Sequence, residues 1–226
     1  MGIEIRVIHG SILDVEADAI VNAANSRGIM GGGVAGVIKR AAGPEVEQEA
    51  MRKAPIAVGQ AYLTSGGRTR FSGIIHAPTM PAPAMRIPPE NVAQATRAAL
   101  HLAEERGFHC IALPGLGTGV GEVPHAEAAR LMIQEIRTFA KSRISALLRT
   151  VLLVDLNANM VQAWRAELLH RGRGPRPAGP PLPSPLITAG GGPVLLDPPP
   201  NPLIAIALSL ILGRRHRYTP AKQWEY

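Results

Sequence analysis

Two glycine-rich loops, each lying between an apolar strand and a helix, constrain this chain more than any other feature. The first glycine loop carries GIMGGG at 28–33 after the predicted strand 18–24, and the second is PGLGTGVGEVP at 114–124. Such a loop brings backbone N–H groups beside a helix N-terminus, which suits an anion and above all a phosphate. The alternative interpretation is that the glycines only form turns. Two such loops favour a ligand with two phosphates, or a diphosphate with a sugar.

Predicted strands and helices alternate along the first 170 residues, which indicates an α/β layered fold. Only 4% of the residues are aromatic, so the core must be aliphatic. The segment 18–24 is apolar almost throughout, as expected of a strand that is covered on both faces. The predicted strands are 3–8, 18–24, 60–64, 73–77, 109–113 and 150–155, and the predicted helices are 34–42, 44–53, 89–106, 124–140 and 157–170.

The composition of the chain changes near residue 171. The net charge is +7, and residues 171–226 hold seven basic against two acidic residues and 12 of the 21 prolines. We therefore predict two regions, a domain at 1–170 and a basic, Pro/Gly-rich and disordered tail at 171–226. The apolar run 203–212 in this tail has three interpretations: a docking segment, a poorly ordered extension, or an interfacial membrane anchor.

Several classes of protein do not fit this sequence. The single cysteine, Cys110, excludes a disulfide framework and a multi-cysteine zinc site. No apolar run reaches the about 20 residues of a transmembrane helix, and residues 1–10 predict a strand rather than a signal peptide. GGGVAG at 31–36 formally matches a dinucleotide fingerprint, but the helix 44–53 stands where an acid should end the next strand. We expect a cytoplasmic protein without a metal or a cofactor.

A few polar side chains at the predicted strand ends are candidates for function. Asn22 and Asn25 lie at the end of one buried strand, where we expect one to brace the loop and the other to face a ligand. His76 lies within an apolar strand and is expected to be a core histidine. Cys110 is expected to pack as a small hydrophobe. His125 opens a predicted helix, where a cap or rim role is expected.

The order of these motifs closely resembles that of the macro domains, a family of ADP-ribose-binding modules. The resemblance is carried by DAIVNAAN at 18–25, GGGVAG at 31–36, RAAGP at 40–44 and PGLGTGV at 114–120. It covers roughly residues 3–170 and leaves the tail unexplained. It implies a three-layer α/β/α sandwich around a mixed sheet, with the ligand in a cleft at the strand ends.

The resemblance also implies roles for individual residues. Asn25 would contact the distal ribose and, in hydrolytic members, would help to place the attacking water. The first glycine loop would surround the distal ribose and the diphosphate, and the second would hold phosphate. The implied ligand-binding residues are Ser11, Ile12, Asn25, Gly31, Gly32, Gly33, Val34, Gly117, Thr118, Gly119, Val120 and Gly121.

Several positions depart from the pattern of the family. Ser11 stands where many members have an aspartate that accepts a hydrogen bond from adenine, and a neutral hydroxyl accepts more weakly than a carboxylate. Residues 153–157 offer no aromatic ring to stack on adenine, and Gly121 stands where many members have an aromatic residue. Ala35 and Lys39 replace an aspartate and a histidine of one hydrolytic subgroup, so the first glycine loop lacks an acid that could serve as a general base.

Three functions are compatible with this pattern. The first is hydrolysis of ADP-ribose derivatives, either ADP-ribosyl groups on proteins or O-acetyl-ADP-ribose. The second is a non-catalytic reader of ADP-ribose, which Ala35 favours. The third is a nucleic-acid-binding module that uses the basic tail, but residues 1–170 hold 17 basic against 15 acidic residues, which argues against it. The expected partner is ADP-ribose or an ADP-ribosylated substrate, and the sequence favours neither a nucleic acid nor a membrane.

Overall fold

The structure is a computed structural model that describes residues 2–142 and 147–170. The predicted disordered tail 171–226 and its apolar run 203–212 lie outside the described residues, and the predicted boundary near residue 171 stays a prediction. Among the residues that are described, no helix is long and apolar enough to cross a membrane.

Six strands and five helices make up the described part of the chain, in the order that the sequence predicts. The bounds differ from the predicted ones by at most three residues, the largest difference being the continuation of β4 to Met80. The strands are β1 (Glu4–His9), β2 (Ala19–Asn25), β3 (Tyr62–Thr64), β4 (Gly73–Met80), β5 (Cys110–Leu113) and β6 (Thr150–Asp155). The helices are α1 (Gly33–Ala42), α2 (Pro44–Lys53), α3 (Glu90–Glu105), α4 (His125–Lys141) and α5 (Ala158–Leu169).

The six strands form one sheet in the order β1-β6-β5-β2-β4-β3. All neighbouring strands are parallel except β3 and β4, which are antiparallel. The mixed sheet that the resemblance implies is therefore confirmed. β2 lies between β5 and β4, and each of its seven residues except Ala23 is buried, which explains why this segment is apolar almost throughout.

Successive residues of each central strand point to opposite faces of the sheet and enter two separate cores. In β2, Ala19 and Val21 pack with side chains of α3, α4 and α5. Ile20, between them, packs with side chains of α1 and α2. The strands β5 and β6 alternate in the same way. Helices thus cover both faces, and the three-layer α/β/α sandwich is confirmed.

Four side chains, Asn22, Tyr62, Thr64 and His76, form a buried polar cluster on β2, β3 and β4. The ring of His76 stacks on that of Tyr62 with 4.8 Å between the ring centroids. Its Nδ1 lies 3.1 Å from Asn22 Nδ2, and its Nε2 lies 2.9 Å from Thr64 Oγ1. Because an amide nitrogen only donates, Nδ1 is the acceptor and Nε2 carries the ring proton. The expectation that His76 is a core histidine is confirmed.

The buried ring of His76 should make stability depend on pH. Burial lowers its pKa from 6.5 to about 3, so the folded state binds fewer protons than the unfolded state between these values. The stabilisation from the neutral ring is therefore present above pH 6.5 and is lost as the pH falls toward 3. Between pH 7 and pH 4, we expect the free energy of unfolding to fall by about 3 kcal/mol more in the wild type than in His76→Gln. Urea unfolding at both pH values measures the difference, and equal losses would contradict it.

Candidate functional site

The carboxyl ends of four adjacent parallel strands, β1, β6, β5 and β2, lie at one edge of the sheet. Ser11 and Ile12 follow β1, and Leu156 follows β6. The second glycine loop follows β5, and the first follows β2. The fold therefore brings the residues that the sequence predicts for the site to a single edge.

β2 and β5 are neighbours whose chains leave this edge in opposite directions. From β2 the chain enters α1 on one face of the sheet, and from β5 it enters α4 on the other face. The two strands pair only at Ala19–Ile111 and Ile20–Ala112, and β2 continues beyond that pairing to Asn25. Connections that diverge to opposite faces leave a crevice in which ligands of open α/β sheets bind. We call this crevice, with a glycine loop on each side, the β2–β5 cleft.

Asn25 organises the start of the first glycine loop. Its side chain is 8% exposed, and its Oδ1 accepts hydrogen bonds from the N–H groups of Arg27 at 3.1 Å and Ile29 at 3.3 Å. Its Nδ2 donates to the carbonyl oxygen of Ile29 at 2.8 Å. An amide nitrogen carries two hydrogens, so these bonds use only one donor of Nδ2. Asn25 therefore braces the loop. Asn22 is buried beside His76 and does not reach the loop, so the expected division of the two roles between Asn22 and Asn25 is not found.

The glycines of the first loop lie beside open space. A Cβ placed on Gly31, Gly32 or Gly33 would meet no atom within 4 Å, so packing does not require glycine there. Gly32 is the N-cap residue of α1 and forms no side-chain hydrogen bond, and the first turn of the helix contains no acidic residue. The positive end of α1 is thus not compensated by a side chain of its own turn. Val34, in the same turn, is half-buried against the core formed with α1 and α2.

The glycines of the second loop fall into two groups. A Cβ on Gly121 would lie 2.6 Å from the carbonyl oxygen of Gly117, and a Cβ on Gly117 would lie 2.7 Å from the side chain of Val92. Both positions therefore require glycine for packing, and position 121 has no room for a side chain. A Cβ on Gly119 would meet nothing within 4 Å. Gly119 resembles the first-loop glycines in this respect.

Two polar side chains anchor the second glycine loop. Thr118 Oγ1 donates to the carbonyl oxygen of Gly115 at 3.1 Å. Asp155, at the end of β6, accepts hydrogen bonds from the N–H groups of Gly115 at 3.0 Å and Asn157 at 2.8 Å. Both carboxylate oxygens of Asp155 are thus occupied by backbone. Val120, at the tip of the loop, is 59% exposed.

The residues after β1 and β6 form the other end of the edge. Ser11 Oγ accepts a hydrogen bond from the N–H of Leu13 at 3.2 Å, and its hydroxyl hydrogen can still donate. The side chain of Ile12 is 5% exposed and packs in the core, so only its backbone can reach a ligand. Leu156 is 71% exposed and provides apolar surface within the stretch 153–157, which contains no aromatic residue.

One carboxylate that contacts the first glycine loop was not predicted from the sequence. Glu47, on α2, accepts a hydrogen bond from the N–H of Met30 at 2.7 Å and forms an ion pair with Lys39. Partial burial raises the pKa of Glu47, but the bonds from Lys39 and Met30 outweigh it and hold the pKa below its usual value. Glu47 is therefore an ionised brace rather than a general base. No sequence signal revealed it, because the contact depends on the angle between α1 and α2.

The other candidate residues have structural contacts. His125 is the first residue of α4 and caps no helix, since its Nε2 lies 3.3 Å from Nδ2 of Asn157, whose Oδ1 caps α5; a rim role for His125 stays a prediction. Cys110 lies at the amino end of β5, at the opposite edge from the cleft, and is half-buried rather than fully packed. Burial raises the pKa of its thiol. In the part of the chain that the structure describes, no three His, Cys, Asp or Glu side chains are grouped to hold a metal ion.

The sheet order and the two glycine loops define an α/β module with a candidate phosphate cleft. The model of the Macro domain family matches residues 21–132. A macro domain-containing protein of Lactiplantibacillus plantarum is 37% identical, over 62% of this chain and 82% of that protein. The chain therefore belongs to the macro domain family.

Other relatives and solved structures agree with this assignment. An uncharacterized protein of Aquifex aeolicus is 55% identical, over 73% of this chain and 98% of that protein. A protein of Citrobacter rodentium named O-acetyl-ADP-ribose deacetylase is 39% identical, over 64% of this chain and 85% of that protein. The crystal structure of a Trypanosoma brucei macrodomain in complex with ADP-ribose superposes with a TM-score of 0.67 at 28% identity, over 73% of this chain and 69% of that one.

The two groups of second-loop glycines should respond differently to alanine. We expect Gly121→Ala to lower the free energy of unfolding by about 1–3 kcal/mol, because its Cβ would press on a backbone carbonyl that cannot yield freely. Gly119→Ala should change it by less than about 0.5 kcal/mol, because the added methyl group enters open space. Thermal or urea unfolding of both variants gives the comparison. Equal destabilisation by the two substitutions would contradict the division.

Proposed function

We propose that this chain binds ADP-ribose in the β2–β5 cleft. The observation that carries the proposal is that both sides of the cleft carry glycines, at 31–33 and at 119, with open space where a Cβ would stand. Backbone of this kind lets a phosphate approach several N–H groups closely, which a Cβ would prevent. The similarity to a Trypanosoma brucei macrodomain that was crystallised with ADP-ribose supports the same ligand.

The proposal gives each loop a part of the ligand. The first loop, from Gly31 to Val34, surrounds the distal ribose and the adjoining phosphate. The second loop, from Gly117 to Gly121, holds the diphosphate. Asn25 directs its unused N–H toward the distal ribose, where it donates to a ribose hydroxyl of ADP-ribose or, with an ester substrate bound, to a water molecule instead. Ser11 and the backbone of Ile12 lie on the adenine side, where a hydroxyl replaces the carboxylate of other members and accepts more weakly.

Calorimetry with the full chain tests this binding mode. Gly32→Glu and Gly119→Glu each place a carboxylate beside the diphosphate without a clash in the fold, and we expect the affinity for ADP-ribose to fall by about 100-fold through charge repulsion. The matched control Gly2→Glu adds the same charge before β1, at the opposite edge of the sheet, and should leave the affinity unchanged. AMP and ribose 5-phosphate should bind more weakly than ADP-ribose. Glutamate variants in the cleft that bind as tightly as the wild type would refute the proposal.

We further propose that bound O-acetyl-ADP-ribose is hydrolysed to ADP-ribose and acetate. The similarity to a protein named O-acetyl-ADP-ribose deacetylase favours this reaction over the reader function. A water molecule, held by the unused N–H of Asn25 and a phosphate oxygen of the substrate, attacks the ester carbonyl carbon. The bond from that carbon to the ribose oxygen breaks, and the ribose oxygen takes up one proton of the water to become a hydroxyl. Acetate is released, and the second proton passes to solvent. The chain supplies positioning rather than a base, since Ala35 carries no acid and Glu47 is bonded to Lys39 and Met30. An ADP-ribosyl ester on a protein carboxylate would be attacked in the same cleft.

Asn25→Ala tests the hydrolytic role. We expect the turnover number for O-acetyl-ADP-ribose to fall by about 100-fold, because the water loses its positioning donor. Ser142→Ala is the control, since Ser142 Oγ also braces a backbone carbonyl, that of Phe139 at 3.0 Å, at the end of α4 and far from the first loop. This control should retain turnover. If the wild-type chain binds ADP-ribose but releases no acetate, the hydrolytic proposal fails and the non-catalytic reader function remains. If Asn25→Ala retains full turnover, Asn25 has no part in the mechanism.

A further inference from the structure

A recess of about 340 Å³ lies on the outer side of the first glycine loop, between α1, α2 and the turn that precedes Phe71. Met30 and Gly31 of the loop line one side of it. Three further lining residues are basic: Lys39, Arg40 and Arg68. We call this the cationic recess. Of its lining residues, the cleft proposal uses only Gly31, and none of the three basic side chains has a role in it.

Arg40 is held close to the first glycine loop. Its Nη1 lies 3.5 Å from the position that a Cβ on Gly36 would occupy, and the carbonyl oxygen of Gly31 lies 3.4 Å from the same position. The guanidinium group therefore lies back along α1 beside Gly36, on the side of the first glycine loop, and Arg40 remains exposed. Because Gly36 has no side chain, it leaves this space open. Within residues 2–142 and 147–170, Arg40 forms no ion pair.

Arg68 enters the recess from a turn that is docked tightly on α1. Its N–H donates to the carbonyl oxygen of Ala42 at 2.8 Å, and a Cβ on the neighbouring Gly67 would lie only 2.1 Å from that oxygen. The side-chain Nε of Arg68 lies 3.2 Å from the position of a Cβ on Gly43, at the junction of α1 and α2. Arg68 also forms no ion pair with a described residue. The backbone that carries both guanidinium groups is thus fixed.

The charge balance of the recess suits a single oxyanion. Lys39 is paired with Glu47, and the carboxylate of Glu45 approaches Gly43 near Arg68. Three cations thus face two carboxylates. A guanidinium group binds a carboxylate through two parallel hydrogen bonds, and two such groups are available. The two flanking carboxylates would repel a nucleic acid backbone that continued past the recess on both sides.

Gly31 belongs both to the cationic recess and to the first glycine loop. On the proposed function, on which this inference rests, that loop surrounds the distal ribose, and a modified protein is attached at that end of the ligand. The recess therefore lies where the protein portion of an ADP-ribosylated substrate leaves the cleft. We propose that the cationic recess binds a carboxylate of an acidic peptide that carries the ADP-ribosyl group, so that the site distinguishes substrates by the residues beside the modification.

Binding of two non-hydrolysable ADP-ribosylated peptides to the full chain tests the proposal. The peptides are identical except that glutamates flank the modified residue in one and glutamines in the other. We expect the wild type to bind the glutamate peptide about fivefold more tightly, because the recess is open to solvent and the interaction is partly screened. Arg40→Gln/Arg68→Gln should remove this preference while the affinity for free ADP-ribose stays within about twofold. Arg106→Gln/Arg165→Gln, which removes two exposed cations near α3 and on α5, should retain the preference.

The outcomes separate this inference from the proposed function. Equal affinity of the wild type for both peptides, or an unchanged preference in Arg40→Gln/Arg68→Gln, would overturn the inference while free ADP-ribose still binds. Failure of the wild type to bind free ADP-ribose would overturn the proposed function itself. If the double variant loses its fold through the contact of Arg68 with α1, Arg40→Gln alone should still weaken the preference. An oligonucleotide that displaces the glutamate peptide and binds through the same two arginines would overturn the peptide assignment.

Discussion

β2 is buried on both faces between β5 and β4, and the rest of the architecture depends on this position. A strand covered on both sides must be apolar at nearly every position, and its two polar residues are Asn22, which is bonded to His76 in the buried cluster, and Asn25, at the end of the strand. Because the chain leaves β2 and β5 toward opposite faces, neither glycine loop can cross over the other strand. The cleft is therefore a consequence of the strand order, and the loops only determine what it can bind.

The same residue type performs two separate tasks in this cleft. Gly117 and Gly121 are glycines because neighbouring atoms occupy the space of a Cβ, and they give the second loop its shape. Gly32 and Gly119 have open space beside them, so their value lies in access to the backbone. In the sequence motifs, the glycines of both kinds look the same. Only the distances to neighbouring atoms divide the glycines that shape the loop from those that expose it.

The sequence predicted the elements, the mixed sheet and the edge at which the site lies, because these follow from periodicity and from motifs that are local in the chain. It did not predict which polar side chains are hydrogen-bonded to the backbone of the loops. Both polar atoms of Asn25 bond to its own loop, and the carboxylate of Asp155 is occupied by backbone N–H groups. Ile12 proved to be a core residue, and Cys110 is only half-buried. These outcomes depend on distances between residues of different strands, helices and loops, and the sequence pattern of a single strand or helix does not reveal such distances.

The absence of an acid from the first turn of α1 has two opposite effects on the cleft. With Ala35 in that turn and no side-chain cap at Gly32, no negative charge competes with a ligand for the helix N-terminus, which favours an anion. The same absence removes the group that would accept a proton from water, and Glu47 cannot replace it while it is bonded to Lys39 and Met30. An aspartate at this position would repel the diphosphate while it activated water. Affinity and base catalysis thus oppose each other at one residue, and this chain has the residue that favours affinity.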